Sequence, residues 1–184
     1  LGGCGNVLRN LINLGVDASV VSIVGKDQAG GKIIEDFIKK GFSSDYLLQS
    51  ELIQTTEKMR IIAEGQQLVR VDWDTSNLVD QILNQVLKQV SQKMKGVDGI
   101  IISDYNKGIC TETVVNDIIA KAKKLKVPIF IDPKGKKWSK YYGASIITPN
   151  LKEAEDAVKR ELKSDKDIEE AGKEICDSLS LTGC

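Results

Sequence analysis

The segments Ile100-Ile101-Ile102-Ser103-Asp104-Tyr105, Ile129-Phe130-Ile131-Asp132-Pro133-Lys134 and Ile146-Ile147-Thr148-Pro149-Asn150-Leu151-Lys152-Glu153 are built alike. Each is a short, continuous apolar run that ends in polar residues. Unbroken apolar runs of this length suit strands buried on both faces, as in a parallel sheet. Ligands of open α/β sheets bind beyond the carboxyl ends of the strands. Asp104, Asp132, Lys134, Asn150 and Glu153 are therefore predicted to share one crevice.

The flanking pattern agrees with an α/β fold. Val7, Leu8, Leu11, Ile12 and Leu14 recur at helical spacing and stop at Gly15. Ala18 to Val24 reads as a buried strand, Gly25-Lys26-Asp27 as a turn, and Ile33, Ile34, Phe37 and Ile38 as a helix ended by Gly41. Helical spacing returns from Asn77, with Leu78, Ile82, Leu83, Val86, Leu87, Val90 and Met94. A further helix spans about Thr111 to Leu125, with Thr111 as its N-cap. The last follows Ser164-Asp165 and carries Ile168, Ala171 and Ile175. Only the region from Asp45 to Asp74 departs. There Thr56 to Ala63 and Gln67 to Trp73 alternate in period two around Glu64-Gly65-Gln66, which predicts an antiparallel hairpin with one covered face.

Composition narrows the function classes. The 184 residues are 41% hydrophobic and 28% charged, with Lys plus Arg and Asp plus Glu at 26 each. A net charge of zero argues against a dedicated nucleic-acid or membrane-surface binder. No run of 18 apolar residues predicts a membrane span, no signal peptide is visible and the chain has no initiator Met. Cys4, Cys110, Cys176 and Cys184 are scattered and histidine is absent, which excludes a Ser-His-Asp triad and disfavours a zinc site. Thiols so placed suit a reducing cytosol.

Each polar cluster admits a chemical and a structural reading. Asn150 with Glu153 three residues on can cap a helix, or can face phosphates and hold Mg²⁺ directly or through water. Lys134 in Asp132-Pro133-Lys134-Gly135 can neutralise a transferring phosphoryl group, or sit in a solvated turn. Asp104 can accept hydroxyl groups of a polyol or cap a loop, and Lys107 can meet an anion or lie idle. Lys58, Arg60 and Arg70 on the hairpin suit a phosphorylated ligand or a solvated face. Gly2-Gly3-Cys4-Gly5-Asn6 brings bare backbone close to a partner but has Leu8 at the third position of a dinucleotide fingerprint. No G-x-x-x-x-G-K-[ST] phosphate loop is present.

Taken together, these motifs resemble the ribokinase-like (PfkB) carbohydrate kinases. Gly2-Gly3-Cys4-Gly5-Asn6-Val7 is similar to the family's glycine-rich sugar motif. Val24-Gly25-Lys26-Asp27-Gln28-Ala29-Gly30 is similar to its V-G-x-D-x-x-G turn, and Thr148-Pro149-Asn150 with Glu153 to its T-P-N-x-x-E motif. Gln66-Gln67-Leu68-Val69-Arg70-Val71-Asp72, Ser103-Asp104-Tyr105-Asn106-Lys107-Gly108 and Ile131-Asp132-Pro133-Lys134-Gly135 further resemble the kinase domain of the bacterial heptose-7-phosphate kinase/ADP-heptose synthases.

The resemblance implies a ribokinase-like three-layer α/β/α sandwich with a mainly parallel sheet and a small β-hairpin lid at about 45–74. It implies a cytoplasmic kinase that moves the γ-phosphate of ATP, with Mg²⁺, onto the anomeric hydroxyl of a heptose 7-phosphate in lipopolysaccharide precursor synthesis. Other sugars of the family, or a non-catalytic sugar-binding module of the same fold, are the alternatives. By resemblance Gly2, Gly3, Asn6 and Asp104 line the sugar site, while Lys107, Lys58, Arg60 and Arg70 face the sugar phosphate. Asn150 and Glu153 organise ATP phosphates and metal, Lys134 stabilises transferred charge, and the lid can pair two copies of the chain. The family's G-A-G-D motif, source of its general base, does not occur in the sequence. The expectation is a partial kinase domain over 1–184, without the family's first strands and C-terminal catalytic part, and inactive alone.

Overall fold

The computed structural model describes residues 2–73 and 78–184. Asn77 and the Asp74 end of the predicted lid lie outside the described residues. The chain forms two compact units, residues 1–86 and 87–184.

In the first unit, helix α1 (Gly3–Asn13) packs Leu8 against Val20 and Phe37. Strand β1 (Ser22–Gly25), helix α2 (Gln28–Lys39) and strand β2 (Leu47–Ser50) follow. Strands β1 and β2 pair in parallel. The predicted lid thus begins too early, because Leu47–Ser50 belongs to this parallel pair. The Val24–Gly30 turn is held by one carboxylate. Asp27 caps α2 by accepting from Gly30 N at 2.7 Å, and accepts Thr55 N and Thr55 Oγ1 at 2.8 Å each. Thr55 Oγ1 in turn accepts Gly25 N at 2.8 Å. Glycines are required here by contact: a methyl group on Gly30 would overlap the Gly25 carbonyl oxygen.

The hairpin is strand β3 (Glu57–Ala63) and strand β4 (Gln66–Trp73), joined by Glu64 and Gly65, both at positive φ as a two-residue type I′ turn requires. The expectation of one covered face is not met. Every residue of β3 is exposed, and in β4 only Val71 is half-buried. Among the described residues the hairpin is a two-stranded sheet by itself.

Helix α3 (Asp80–Lys93) leads into the second unit. Strands β5 (Ile100–Ser103), β6 (Ile129–Asp132) and β7 (Ile146–Ile147) lie side by side in parallel, with helix α4 (Glu112–Leu125) between the first two. Thr111 caps α4 as predicted. Helices α5 (Leu151–Val158) and α6 (Asp165–Leu179) follow β7, and Gly183 extends the ladder on its far side. The strands advance in one direction, so right-handed crossovers put α4 and α6 on one face. Gly143 confirms this, donating to Leu179 O of α6 while facing Lys123 of α4. Ile129, Ile131 and Ile147 on that face are essentially inaccessible. On the other face Ile101 and Phe130, paired in register, remain exposed at 46% and 36%. The expectation of burial on both faces therefore holds for one face only within this unit.

Two adjacent glycines of α2 separate contact from propensity. Gly31 faces open space, so Gly31→Ala is expected to stabilise by about 0.5–1 kcal/mol in urea unfolding. Gly30→Ala is expected to lower the midpoint instead. Equal gains from both would show that the turn tolerates a side chain.

Candidate functional site

The carboxyl ends of β5, β6 and β7 carry a continuous polar network. At the end of β5, Asp104 is buried, its side chain only 1% exposed. Its Oδ1 accepts Asn106 N at 2.7 Å, and Asn106 takes a left-handed backbone with φ of 54°. Its Oδ2 accepts Lys140 Nζ at 2.6 Å and the Tyr141 hydroxyl at 2.8 Å. Lys140 also donates to Cys110 O at 3.1 Å. Asp104 thus accepts three hydrogen bonds from within the protein, and its bond to Asn106 N is the loop cap of the structural reading.

Tyr141 links this carboxylate to the end of β6. Its hydroxyl oxygen accepts Lys134 N at 3.1 Å while its proton goes to Asp104. Burial, with Asp104 adding to it, pushes the phenol far above its ordinary range, against the Lys134 amide. The hydroxyl is therefore a proton donor at any working pH. The turn is further fixed by Pro133, which is buried, and by Trp138 Nε1 donating to Gly135 O at 2.9 Å.

The Lys134 side chain then reaches the end of β7. Its Nζ donates to Glu153 Oε1 at 2.8 Å. Glu153 Oε2 accepts Asn150 N, and Asn150 Oδ1 accepts Glu153 N, both at 3.0 Å. This is a complete capping box at the start of α5, so the structural reading of the pattern is realised. Burial opposes the charge of Glu153, but Lys134 and the Asn150 amide outweigh it and hold the carboxyl below its usual range. Glu153 in turn holds the Lys134 ammonium above its usual range. Asp132 is pushed up, first by burial and then by the Glu153 charge, against the pull of Lys134.

Of the predicted residues, Asp104, Lys134, Asn150 and Glu153 are brought into this one network, and half-buried Lys107 follows Asn106 in the same loop. Gly2, Gly3, Asn6, Lys58, Arg60 and Arg70 belong to the first unit. Gly2 caps α1 without a side chain, and Asn6 accepts Arg9 Nη2 at 2.7 Å. On the hairpin, alternation puts Lys58, Arg60 and Arg70 on one face and Met59, Ile61, Val69 and Val71 on the other. Arg60 stands directly opposite Arg70, an arrangement that repels unless an anion intervenes. Arg70 meets part of that need through Asp72 at 3.0 Å.

Reading the sequence missed Lys140, Tyr141 and Thr55. The available signal was that Asp104, placed at the end of an apolar strand, needs a buried cation or hydroxyl partner. Among the described residues no group of three or more His, Cys, Asp or Glu gathers as a metal cage. Magnesium does not need one, since it binds through one or two carboxylates, water and substrate phosphates. Asp132, raised first by burial and then by the Glu153 charge, and Glu153 are the carboxylates that would hold such a cation.

A model of the pfkB family carbohydrate kinases matches residues 1–180. The chain belongs to this family. It is 35% identical over 182 residues to the bifunctional protein HldE of Trichlorobacter lovleyi, covering 98% of this chain and 37% of that protein. It is 40% identical over 182 residues to the same-named protein of Campylobacter concisus, covering 99% and 38%. It therefore spans less than two fifths of these curated relatives. Among solved structures it is similar to Escherichia coli phosphofructokinase-2 in complex with substrates and products, with a TM-score of 0.76, 22% identity, and 98% of this chain and 59% of that one covered. It is likewise similar to Arabidopsis thaliana ribokinase complexed with ribose and ATP, at 0.71 and 17%, covering 98% and 58%. The fold is the ribokinase-like α/β fold.

The raised Asp132 carboxyl makes stability depend on pH. A folded-state pKa above the unfolded one contributes stability only below about pH 3.9 and costs stability once the group ionises in the fold. Asp132→Asn is expected to raise the thermal midpoint at pH 7 and leave it unchanged near pH ~3. A lower midpoint at pH 7 would mean that the Asp132 charge is favourably engaged.

Proposed function

We propose that the protein containing this chain is an ATP-dependent, Mg²⁺-requiring kinase that phosphorylates the anomeric hydroxyl of a heptose 7-phosphate in the cytoplasm, for ADP-heptose and lipopolysaccharide precursors. The observation that carries the kinase reading is Lys134, set at a strand end and bonded to Glu153 of the α5 capping box. A cation and a helix N-terminus at one strand end suit the negative oxygens of a transferring phosphoryl group. The heptose reading rests on the resemblance of the Gln66–Asp72, Ser103–Gly108 and Ile131–Gly135 segments, supported by the HldE relatives.

In this reading the sugar hydroxyl oxygen attacks the γ-phosphorus, the bond to the β-phosphate oxygen breaks, and ADP leaves. The hydroxyl proton passes to the carboxylate of the family's G-A-G-D motif, which these residues do not include. Lys134 leaves Glu153 to meet the transferring group. Asn150 and Glu153 would hold the nucleotide phosphates and the magnesium ion, which would neutralise phosphate charge when bound. By resemblance, Gly2, Gly3, Asn6 and Asp104 are the sugar residues, and Lys107, Lys58, Arg60 and Arg70 those of the 7-phosphate. The opposed Arg60 and Arg70 support this, because a phosphate relieves their repulsion. The apolar hairpin face, with Met59 and Ile61 about half exposed, suits a second copy of the chain. Both units then form parts of one kinase domain.

A coupled ADP-release assay on the full-length protein compares heptose 7-phosphate, fructose phosphates and ribose. Heptose 7-phosphate is expected to turn over fastest. Lys134→Ala is expected to lower kcat by about 10²–10³-fold. Arg60→Ala is expected to raise KM for the phosphorylated sugar about tenfold and leave ribose unaffected. Turnover of ribose alone would contradict the heptose assignment, and sugar binding without ADP release would indicate a non-catalytic module.

A further inference from the structure

Lys134 is half exposed, at 51%, on a long and flexible stem. Its aim depends on what fixes its backbone. That anchor is the Tyr141 hydroxyl, which accepts Lys134 N, and the hydroxyl is itself oriented by its bond to Asp104 Oδ2. The same oxygen is charge-balanced by Lys140, whose side chain is 12% exposed and whose ammonium also lies 5.0 Å from the Tyr141 ring centroid. Asp104 Oδ1 meanwhile holds the left-handed turn at Asn106 that leads into Lys107.

Resting on the kinase reading, we propose that Lys140 and Tyr141, through Asp104, are positioning residues for Lys134. Neither residue faces the phosphates in this account. Lys140 pairs with Asp104 in a buried place, Asp104 fixes the direction of the Tyr141 hydroxyl, and that hydroxyl sets the Lys134 backbone. The ammonium is then aimed from a fixed base, and its only movement is off Glu153. Charge-stabilising groups act through preorganisation, so a loosened base costs rate more than binding.

The test uses the full-length protein with Tyr141→Phe, which keeps the buried ring and removes only the hydroxyl. The pair Lys140→Met and Lys140→Arg accompanies it. With MgATP and heptose 7-phosphate, Tyr141→Phe is expected to lower kcat at least about tenfold while both KM values stay within about threefold. Lys140→Arg is expected to keep more of the rate than Lys140→Met, because it retains a cation beside buried Asp104. Hydrogen exchange of the Lys134 amide, which needs no substrate, is expected to be at least about tenfold faster in folded Tyr141→Phe. An unchanged kcat in folded Tyr141→Phe overturns the proposal, as does unchanged exchange at the Lys134 amide. If the wild-type protein transfers phosphate to no sugar, the kinase reading fails, and amide exchange then decides the positioning role alone.

Discussion

A buried carboxylate needs partners, and Asp104 has three donors on its carboxylate and a fourth bond through its backbone. Lys140 supplies the charge, Tyr141 the hydroxyl, and Asn106 the backbone amide. The fourth constraint is its own amide, bonded to Asp132 O of the neighbouring strand end. Leaving such a group unpaired would cost about 3–5 kcal/mol, so the loops after β5 and β6 are coupled through it. The coupling specifies geometry more than net stability, since a well-packed apolar substitute would hold the fold as well.

The strands themselves are held by packing. Each fully buried isoleucine among Ile129, Ile131 and Ile147 contributes about 1.5–3 kcal/mol, whereas the half-exposed Lys134–Glu153 pair contributes about 0–1 kcal/mol. The division follows function. The rigid part lies in the apolar layer under α4 and in the Asp104 network, and only the Lys134–Glu153 pair exchanges partners at small cost. Lys134 can leave Glu153 for an incoming anion without disturbing the core. The Val24–Gly30 turn shows the opposite design in the first unit, where Asp27 and Thr55 lock a motif by contact and leave nothing to move.

Much of this was legible in the sequence because it depends on local pattern. The three apolar runs became adjacent parallel strands, Thr111 and Asn150 became caps, and the Glu64-Gly65 turn closed the hairpin. Short-range periodicity does not reveal what covers a strand. Hence the outer face of β5 and β6 and the face of the hairpin expected to be covered were misread, and β2 was absorbed into the lid. Nor does it reveal partners across distance. Asp104 and Lys140 are far apart in the chain, and only the fold joins them. The consequence is largest at Asp104, read as an acceptor for sugar hydroxyls or a loop cap, whose internal network with Lys140 and Tyr141 only the fold reveals.

In the proposed reaction the strand ends of the second unit bind the transferring phosphoryl group, with Lys134 moving onto it. The most direct measurement is a crystal structure of the full-length protein with ADP, magnesium, aluminium fluoride and heptose 7-phosphate. The account predicts the fluoride group within about 3 Å of Lys134 Nζ, with Tyr141 still on Asp104 and on the Lys134 amide. A fluoride group bound elsewhere, with Lys134 still paired to Glu153, would contradict it.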